Sequence, residues 1–277
     1  LPRAGNLGGG GFMVVYLKEE DKTIAVDYRE KAPSAATRDL FLDENGDYDR
    51  KKAQFSLLSA GVPGSVAGFH HALTKYGTLS WQDVLEPAIR LAQEGFVIPH
   101  DLANTLASKR YRERLSSNPA AAKVFFKKDK GLYSAGEILV QKDLASTLRE
   151  LSKNGPDAFY TGKIAQLIVE EMERNGGLIT LEDLKNYNVA ERQPLVGSYK
   201  GYEIVSMPPS SSGGTHLIQM LNMLEEFPIK EMGFGSADTI HILAEVMKRA
   251  YADRSKYLGD SDFYKVPSSL TSKKYAI

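Results

Sequence analysis

Arg29 is the residue whose type and position best suit a role in binding a small molecule. It stands at the end of a predicted strand, within the stretch from Asp27 to Pro33. A guanidinium can hold a carboxylate through two parallel N–H···O bonds, so an arginine here suits the recognition of a small acid. A structural ion pair with Glu30, the next residue, is the alternative role. Arg38 is a second arginine close by in the sequence, so the residues alone leave the assignment open.

Four consecutive glycines, Gly8 to Gly11, precede the first predicted strand. A P-loop needs a Lys-Ser/Thr pair and a following helix, and a dinucleotide-binding turn needs a strand before it and a helix after it. Neither arrangement is present, because the glycines run directly into a strand. The segment therefore predicts a close backbone approach, to another strand or to a ligand.

Two further groups of residues have the chemistry of metal ligands without the spacing. The segment from Asp43 to Asp49 is acidic, but an EF-hand loop has Gly at position six and Glu at position twelve. Counted from Asp43, Gly46 is fourth and Gln54 is twelfth, which favours an exposed Asn-Gly turn. The histidines lack ligand spacing as well, so we predict no metal site. The five histidines are His70, His71, His100, His216 and His241.

Three serines, Ser210, Ser211 and Ser212, stand before a pair of glycines. The Gly-x-Ser-x-Gly pattern of a nucleophile elbow is absent, and no histidine is placed by the sequence to act as a base. We expect a tight turn whose hydroxyls cap a helix at about 215–226. A substrate-facing edge of this loop is the alternative, because helix N-termini attract anions.

The composition excludes several classes of function. The chain has 277 residues, with 35 Lys plus Arg and 35 Asp plus Glu, so its formal net charge is zero. This balance gives no reason to expect nucleic acid or an anionic membrane as a partner. Cysteine is absent, which excludes disulfides and thiol catalysis. No apolar run approaches the roughly 20 residues of a membrane span. Since the chain starts at Leu1 without a leader, we expect any signal peptide to lie upstream.

Two β-hairpins are predicted, one before and one after the helical region. The first pairs strands at 12–17 and 23–28, and its almost uniformly apolar first strand is expected to be covered on both faces. The second pairs 194–199 with 202–207 around the Lys200-Gly201 turn.

Helical patterns fill the region from about 65 to 187. Ser80 and Thr180 each precede a capping-box pattern, and Ser236 caps a long helix with Ile240, Ala244, Met247 and Tyr251 on one face. Asn-Gly pairs end helices at roughly 142–153 and 162–175. This order predicts an α+β fold. We expect residues 1–277 to form a single domain with a large helical insertion at about 65–187.

Several long segments, in one order along the chain, carry a family resemblance. The segments are the stretch from Asp27 to Pro33, Ala-Thr-Arg-Asp at 36–39, Ala-Gly-Val-Pro-Gly at 60–64, Asn-Gly-Pro-Asp-Ala-Phe-Tyr at 154–160, Asn-Gly-Gly-Leu-Ile-Thr at 175–180 and Met-Pro-Pro-Ser-Ser-Ser-Gly-Gly at 207–214. Together they resemble the large-subunit portion of gamma-glutamyltranspeptidases. One small departure is the Pro-Pro-Ser-Ser-Ser loop, where many members have Pro-Pro-Pro-Ser-Ser.

The resemblance implies a fold, a reaction and one site residue. The fold is the αββα sandwich of N-terminal-nucleophile hydrolases, completed by a small subunit of the same precursor. The nucleophile is a threonine that begins that subunit, after the precursor has cut itself, so we expect no catalytic residue within 1–277. Arg29 corresponds to the arginine that binds the α-carboxylate of the γ-glutamyl group.

The remaining implications concern ligands and location. Glutathione and other γ-glutamyl compounds are the implied donors, water and amino acids or dipeptides are the implied acceptors, and no cofactor is implied. The implied location is periplasmic or extracellular. Two other functions stay open, namely a related acylase acting on glutaryl, cephalosporin or poly-γ-glutamate substrates, and a non-catalytic relative that binds γ-glutamyl compounds.

Overall fold

The structure, a computed structural model, describes residues 5–129 and 131–277. Within these residues the strands are β1 (Gly11–Leu17), β2 (Lys22–Tyr28), β3 (Phe96–Val97), β4 (Ile138–Leu139), β5 (Ala190–Arg192), β6 (Leu195–Tyr199) and β7 (Tyr202–Ser206). The helices are α1 (Arg50–Phe55), α2 (Ser65–Tyr76), α3 (Trp81–Glu94), α4 (His100–Ala107), α5 (Lys109–Ser116), α6 (Pro119–Phe125), α7 (Lys142–Asn154), α8 (Asp157–Tyr160), α9 (Lys163–Asn175), α10 (Leu181–Lys185), α11 (Gly213–Leu224), α12 (Ile229–Met232), α13 (Ala237–Tyr257) and α14 (Lys273–Ala276). Short 3-10 helices span Leu57–Ser59 and Ser268–Thr271.

The helices and small sheets confirm the α+β class. The described residues divide into two compact units. The first unit contains the chain up to Glu30, Pro63–Gly68 and Asn188–Ile277, and the second contains Lys31–Val62 and Phe69–Tyr187. The second unit is mainly helical and overlaps the predicted insertion. The assignment of the whole chain to one domain stays a prediction.

The first unit is built on the predicted N-terminal hairpin. β1 and β2 pair antiparallel with Gly11 opposite Tyr28, and β5 pairs antiparallel on the other side of β2. β2 thus lies between two partners, and it is buried from Ile24 to Tyr28. The central strand therefore ends directly before Arg29, as the sequence predicts.

The expectation that β1 is covered on both faces was wrong for this chain. Val14 and Tyr16, on one face of the strand, have exposed fractions of 43% and 59%. Alternate residues of a strand point to opposite faces, and β1 lies at an edge of its sheet. An apolar strand indicates a surface that can be buried, but it does not say which part of the molecule covers it.

The second predicted hairpin and its helix lie in the same unit. Lys200 and Gly201 form the β6–β7 turn with φ angles of 47° and 85°, as two-residue hairpins require. α11 packs on β6 and on α13. Gly197 permits the close approach, because a Cβ at this position would lie 2.7 Å from Ile218 Cγ2. The small core beneath α11 contains Met223, Val246 and Ala250.

The long helix α13 buries a different face from the one that its apolar spacing suggests. Val246 and Ala250 are buried, whereas Ile240, Met247 and Tyr251 are each about half exposed. α13 therefore has a second apolar face, which the described residues of this chain leave exposed. The predicted cap is confirmed, because Ser236 Oγ accepts the N–H of Thr239.

The second unit is held by paired helices with the predicted caps. α3 packs on α7, and Trp81 Nε1 donates to the Leu151 carbonyl oxygen at 2.9 Å. Ser80 caps α3, and Thr180 forms a full capping box with Asp183 at α10. α9 ends in Gly176 in the left-handed conformation. None of the helices among residues 5–129 and 131–277 is long and apolar enough to cross a membrane.

Candidate functional site

Arg29 directly follows the last residue of β2, and its side chain is exposed. Its Nε lies 3.1 Å from Glu30 Oε2, and its guanidinium carbon lies 5.8 Å from the centroid of the Phe12 ring. The Arg29 side chain remains 61% exposed and Glu30 is 33% exposed. The structural ion pair that the sequence allowed is therefore present, in a geometry that still leaves the guanidinium accessible to a dissolved carboxylate.

The backbone of Arg29 is anchored by a buried carboxylate two residues earlier. Asp27 Oδ1 accepts the backbone N–H of Arg29 at 3.0 Å, and Asp27 Oδ2 accepts Arg192 Nε at 2.8 Å. Asp27 is only 7% exposed, so a charge here needs these partners. The other end of the Arg192 guanidinium makes a bidentate contact with Asp262, at 2.7 and 2.8 Å. This arrangement fixes where the chain leaves the sheet.

The same network reaches the Pro-Ser-Gly loop at 208–214. Ser261 Oγ, 3.5 Å from Arg192 Nη1, donates to the carbonyl oxygen of Pro209 at 2.9 Å. Hydrogen bonds to Asp262 and Asp27 raise the pKa of Arg192 further above its ordinary value, although partial burial opposes the rise. A permanently charged arginine thus joins the end of β2 to the loop that precedes α11.

The Gly8 to Gly11 segment confirms the predicted close approach of backbone. A Cβ on Gly10 would lie 2.5 Å from the Tyr28 carbonyl oxygen and 2.6 Å from the Glu30 nitrogen. The Gly9 carbonyl oxygen accepts the N–H groups of Gly64 and Ser65, the first at 2.8 Å and the second at 2.9 Å. The glycines are therefore packed against the residues that flank Arg29.

The serine loop confirms the turn and shows how its hydroxyls are used. Ser211 Oγ accepts the N–H of Gly213, the first residue of α11, at 3.2 Å. Ser212 Oγ accepts Arg254 Nε at 3.3 Å. The expected tight turn is therefore present, but the expected capping is not, because Ser212 is the N-cap residue of α11 and its side chain makes no capping hydrogen bond.

The acidic segment and the histidines have structural surroundings. Asp43 Oδ1 accepts the N–H groups of Asn45 and Asp47, and Gly46 has a φ of 83°, so this segment is the predicted turn. Across residues 5–129 and 131–277, no group of three His, Asp or Glu side chains is arranged to hold a metal ion.

His216 is a buried histidine on α11. Its ring lies 5.1 Å from that of Tyr251, and it is 7% exposed. Burial lowers the pKa of His216, with a further decrease from Arg254 and an opposing effect of Asp253. The remaining four histidines lie elsewhere, with His70 packed edge-on against Trp81 at 5.2 Å.

The residues at the end of the Asp27 to Pro33 stretch belong to the second unit and help to line a small cavity there. Lys31 pairs with Val62 as an isolated bridge, and its ammonium lies 5.3 Å from the Tyr187 ring centroid. Asp183 Oδ1 accepts the N–H of Ser34 at 2.8 Å. Burial raises the pKa of Asp183, but the hydrogen bonds from Ser34 and Thr180 outweigh it and leave the pKa lowered. These residues line a cavity of about 250 Å³.

Sequence reasoning selected Arg29 but missed the residues that anchor it. Asp27 did carry a signal, because a carboxylate in an otherwise apolar strand needs a buried partner. Its partner Arg192 lies 165 positions away, and Asp262 lies a further 70 positions along the chain. No local pattern points to such a distant pair.

The site and the fold can be compared with those of known proteins. The family profile described as gamma-glutamyltranspeptidase matches residues 1–277. The chain belongs to the gamma-glutamyltranspeptidase family. A crystal structure of Helicobacter pylori gamma-glutamyltranspeptidase superposes with a TM-score of 0.95 at 49% identity, covering 99% of this chain and 78% of that one.

Curated relatives in the family carry two kinds of name. The glutathione hydrolase proenzyme of Escherichia coli (strain K12) is 52% identical over 276 residues, which cover 99% of this chain and 47% of the relative. The acylase ACY 1 proenzyme of Pseudomonas sp. (strain SE83) is 39% identical over 275 residues, covering 97% and 49%. The chain thus spans about half the length of the curated relatives it matches.

Proposed function

We propose that this chain is the large-subunit portion of a gamma-glutamyltransferase that also hydrolyses glutathione. The observation that carries the proposal is the exposed guanidinium of Arg29, on a backbone that the buried Asp27 anchors. Such a group suits the α-carboxylate of a γ-glutamyl donor. The 52% identity to a protein named glutathione hydrolase proenzyme supports the same substrate class.

The proposed reaction divides acyl transfer into two steps. A threonine hydroxyl at the N-terminus of a second subunit, cut from the same precursor, attacks the γ-carbonyl carbon, with its own α-amine as the base. The amide C–N bond breaks, the leaving amine takes the proton, and a γ-glutamyl ester remains. Water then releases glutamate, or the amine of an amino acid or dipeptide forms a new γ-glutamyl amide. The threonine hydroxyl is restored in either case.

In this scheme Arg29 positions the donor and takes no part in making or breaking bonds. An ion pair with the α-carboxylate holds one end of the donor, so that the γ-carbonyl four bonds away meets the nucleophile. Binding energy from a part of the substrate that does not react thereby lowers the barrier at the part that does. An extracytoplasmic location, periplasmic or outside the cell, belongs to the same proposal, because donors and acceptors of this kind are then taken from the surroundings.

Turnover of two matched anilides by the full-length gene product tests the proposal. A γ-glutamyl anilide and a glutaryl anilide share the scissile bond and the terminal carboxylate, and they differ in the α-amino group. We expect turnover of the γ-glutamyl compound only. Failure to turn over either compound, after the precursor has been shown to cut itself, would contradict an enzymatic role and favour the binding role.

A related acylase is the second candidate, and the 39% identity to the acylase ACY 1 proenzyme is the observation that favours it. A glutaryl side chain keeps the terminal carboxylate, so the Arg29 geometry suits it as well. Equal or faster turnover of the glutaryl anilide would identify the protein as an acylase of this kind. The higher identity to the glutathione hydrolase makes the first outcome the expected one.

A further inference from the structure

A cavity in the second unit lies between α5, α6 and the segment that follows α6. Its volume is about 470 Å³, within the range of small-molecule sites. Four cationic side chains line it together with apolar ones. The six lining residues that matter here are Arg112, Lys123, Phe126, Lys127, Lys128 and Leu132.

The positive charge of this region stands out against a chain with no net charge. Residues 109–128 contain seven Lys or Arg and a single acidic residue, Glu113. A concentration of one sign in a concave site raises the local potential and attracts ions of the opposite sign. The composition of the whole chain conceals this region, because acidic residues elsewhere balance it.

Two of the four cations have carboxylate partners and two do not. Lys127 Nζ lies 2.6 Å from Glu137 Oε1, and this contact is the main reason that the pKa of Glu137 is lowered. Lys123 Nζ lies 4.0 Å from Asp143 in a pair whose side chains are both highly exposed. Within residues 5–129 and 131–277, no ion pair neutralises Arg112 or Lys128.

The rest of the lining is apolar and rests on a packed core. Phe126 and Leu132 face the cavity. Leu115, Phe125 and Tyr133, from the same elements, pack against a buried cluster that includes Leu102. The cations are therefore presented from a supported wall, and an apolar part of a ligand has a surface to contact.

We propose that this cavity binds an organic phosphate, that is, a phosphate group joined to an apolar moiety. Arg112 and Lys128 would hold the phosphate oxygens, and Phe126 would contact the apolar moiety. A phosphate ester carries up to two negative charges, so it gains more from several cations lining one cavity than a monocarboxylate does. The cavity does not include Arg29, and the proposal does not depend on the proposed acyl transfer.

Titration calorimetry of the full-length protein with three small anions tests the chemistry. Phenyl phosphate carries the phosphate and the ring, inorganic phosphate lacks the ring, and benzoate keeps the ring with a single charge. We expect phenyl phosphate to bind at least about tenfold more tightly than either of the others. Equal binding of benzoate would overturn the assignment to phosphate.

Matched alanine variants locate the binding. Arg112→Ala and Lys128→Ala should each weaken phenyl phosphate binding about tenfold, as the loss of a charge-assisted hydrogen bond does. Arg110→Ala is the control, because it removes the same charge from the same helix, and Arg110 is not among the residues lining the cavity. An equal loss of affinity in Arg110→Ala would show that binding depends only on the net charge of the region, and it would overturn the proposed site.

The phosphate could belong to a soluble ester or to a lipid headgroup, and a second experiment distinguishes these two sources. Flotation with phosphatidylcholine vesicles, with and without phosphatidylglycerol, measures the lipid source. Binding to the anionic vesicles alone, lost in Arg112→Ala and retained in Arg110→Ala, would identify a headgroup. Binding of phenyl phosphate with the same variant pattern would identify a soluble ligand. Binding in neither arm would overturn the proposal.

Discussion

Arg29 combines an exposed charge with an anchored backbone. Its guanidinium is paired with Glu30 at 3.1 Å, yet its side chain is 61% exposed, so that pair is weak in water. A ligand carboxylate can therefore replace or share the Glu30 contact at small cost. The hydrogen bond from its N–H to Asp27 holds the chain direction at this point.

Replacement of Arg29 should impair catalysis without unfolding the protein. In the full-length enzyme we expect Arg29→Ala to lower kcat/KM for a γ-glutamyl anilide by about 3 kcal/mol, roughly a hundredfold. Arg29→Lys should recover only part of the loss, because an ammonium cannot form the two-pronged contact. Steady-state kinetics checks both changes.

Arg38 supplies the control for this experiment. Its side chain is 96% exposed and lies 3.5 Å from Asp39, so Arg38→Ala removes the same charge at a nearby position. We expect its kcat/KM to match that of the parent. Unchanged kinetics in Arg29→Ala would show that Arg29 does not bind the donor.

His216 should make the stability depend on pH in a defined direction. Burial lowers its pKa, so the unfolded chain binds a proton at a higher pH than the folded chain does. Stability is therefore lost as the pH falls below the unfolded value of about 6.5. Arg254, Asp253 and Tyr251 of α13 face the ring and set the size of the effect.

A ring without a titrating group tests this pH dependence. His216→Phe keeps an aromatic contact with Tyr251 and should lose less stability between neutral and mildly acidic pH than the parent. Denaturant midpoints measured across that range give the comparison. Parallel curves for the two proteins would show that His216 does not contribute.

At the scale of elements, the end of β2 is held on two sides. The glycine segment before β1 packs against the backbone from Tyr28 to Glu30, and Arg192 of β5 holds Asp27. The first contact comes from the segment that leads into β1, and the second comes from β5, the other neighbour of β2. The position of Arg29 therefore depends on elements whose side chains do not touch a substrate in the proposed reaction.

Gly10→Ala tests the glycine contact. Its Cβ would lie within 2.6 Å of two backbone atoms, so we expect a stability loss of about 1–3 kcal/mol together with a lower kcat/KM. Gly8→Ala is the matched control, because its nearest neighbour would be 3.5 Å away. Thermal unfolding and kinetics are measured on both. Equal behaviour of the two variants would contradict the packing argument.

Arg192→Met tests the network between β5, β2 and the serine loop. It leaves the buried Asp27 without its cation, which should cost about 2–3 kcal/mol of stability because one half of the network is exposed. Arg192→Lys should restore part of the stability but less of the kcat/KM, since one ammonium cannot reproduce the contacts with both carboxylates. Lys248→Met, from an exposed pair with Glu245, should leave both quantities unchanged. Full recovery by lysine would show that only charge matters.

At the scale of the whole molecule, several apolar surfaces of the first unit are exposed. They include Val14 and Tyr16 on β1, Met247 and Tyr251 on α13, and the fully exposed side chain of Phe234. Exposed apolar surfaces of this kind favour association with other protein surfaces. The proposed second subunit is the partner that these surfaces would take.

Residues 1–277 produced on their own should therefore self-associate. Size-exclusion chromatography with light scattering should show oligomers, and replacement of Tyr16 and Met247 by lysine should reduce them. Expression of the full-length precursor should yield a species without this association. A monodisperse monomer of residues 1–277 would contradict the expectation.

Local patterns in the sequence determined much of the architecture. Caps at Ser80, Thr180 and Ser236, the Lys200-Gly201 turn and both hairpins follow from interactions within a few residues, and the structure confirms them. The glycine segment was likewise predicted to approach backbone closely. The family resemblance, carried by other short segments such as Asp27 to Pro33, selected Arg29 and is confirmed at the level of the family.

Only the tertiary structure decided which distant residues meet and which apolar faces are covered. The contact of Asp27 with Arg192 joins positions 165 residues apart, and no spacing rule predicts it. The cavity beside Arg112 likewise escapes composition, because its charge cancels over the chain. The exposed faces of β1 and α13 look like core in the sequence, since apolarity records a tendency to be buried, while the packed neighbour depends on the whole fold.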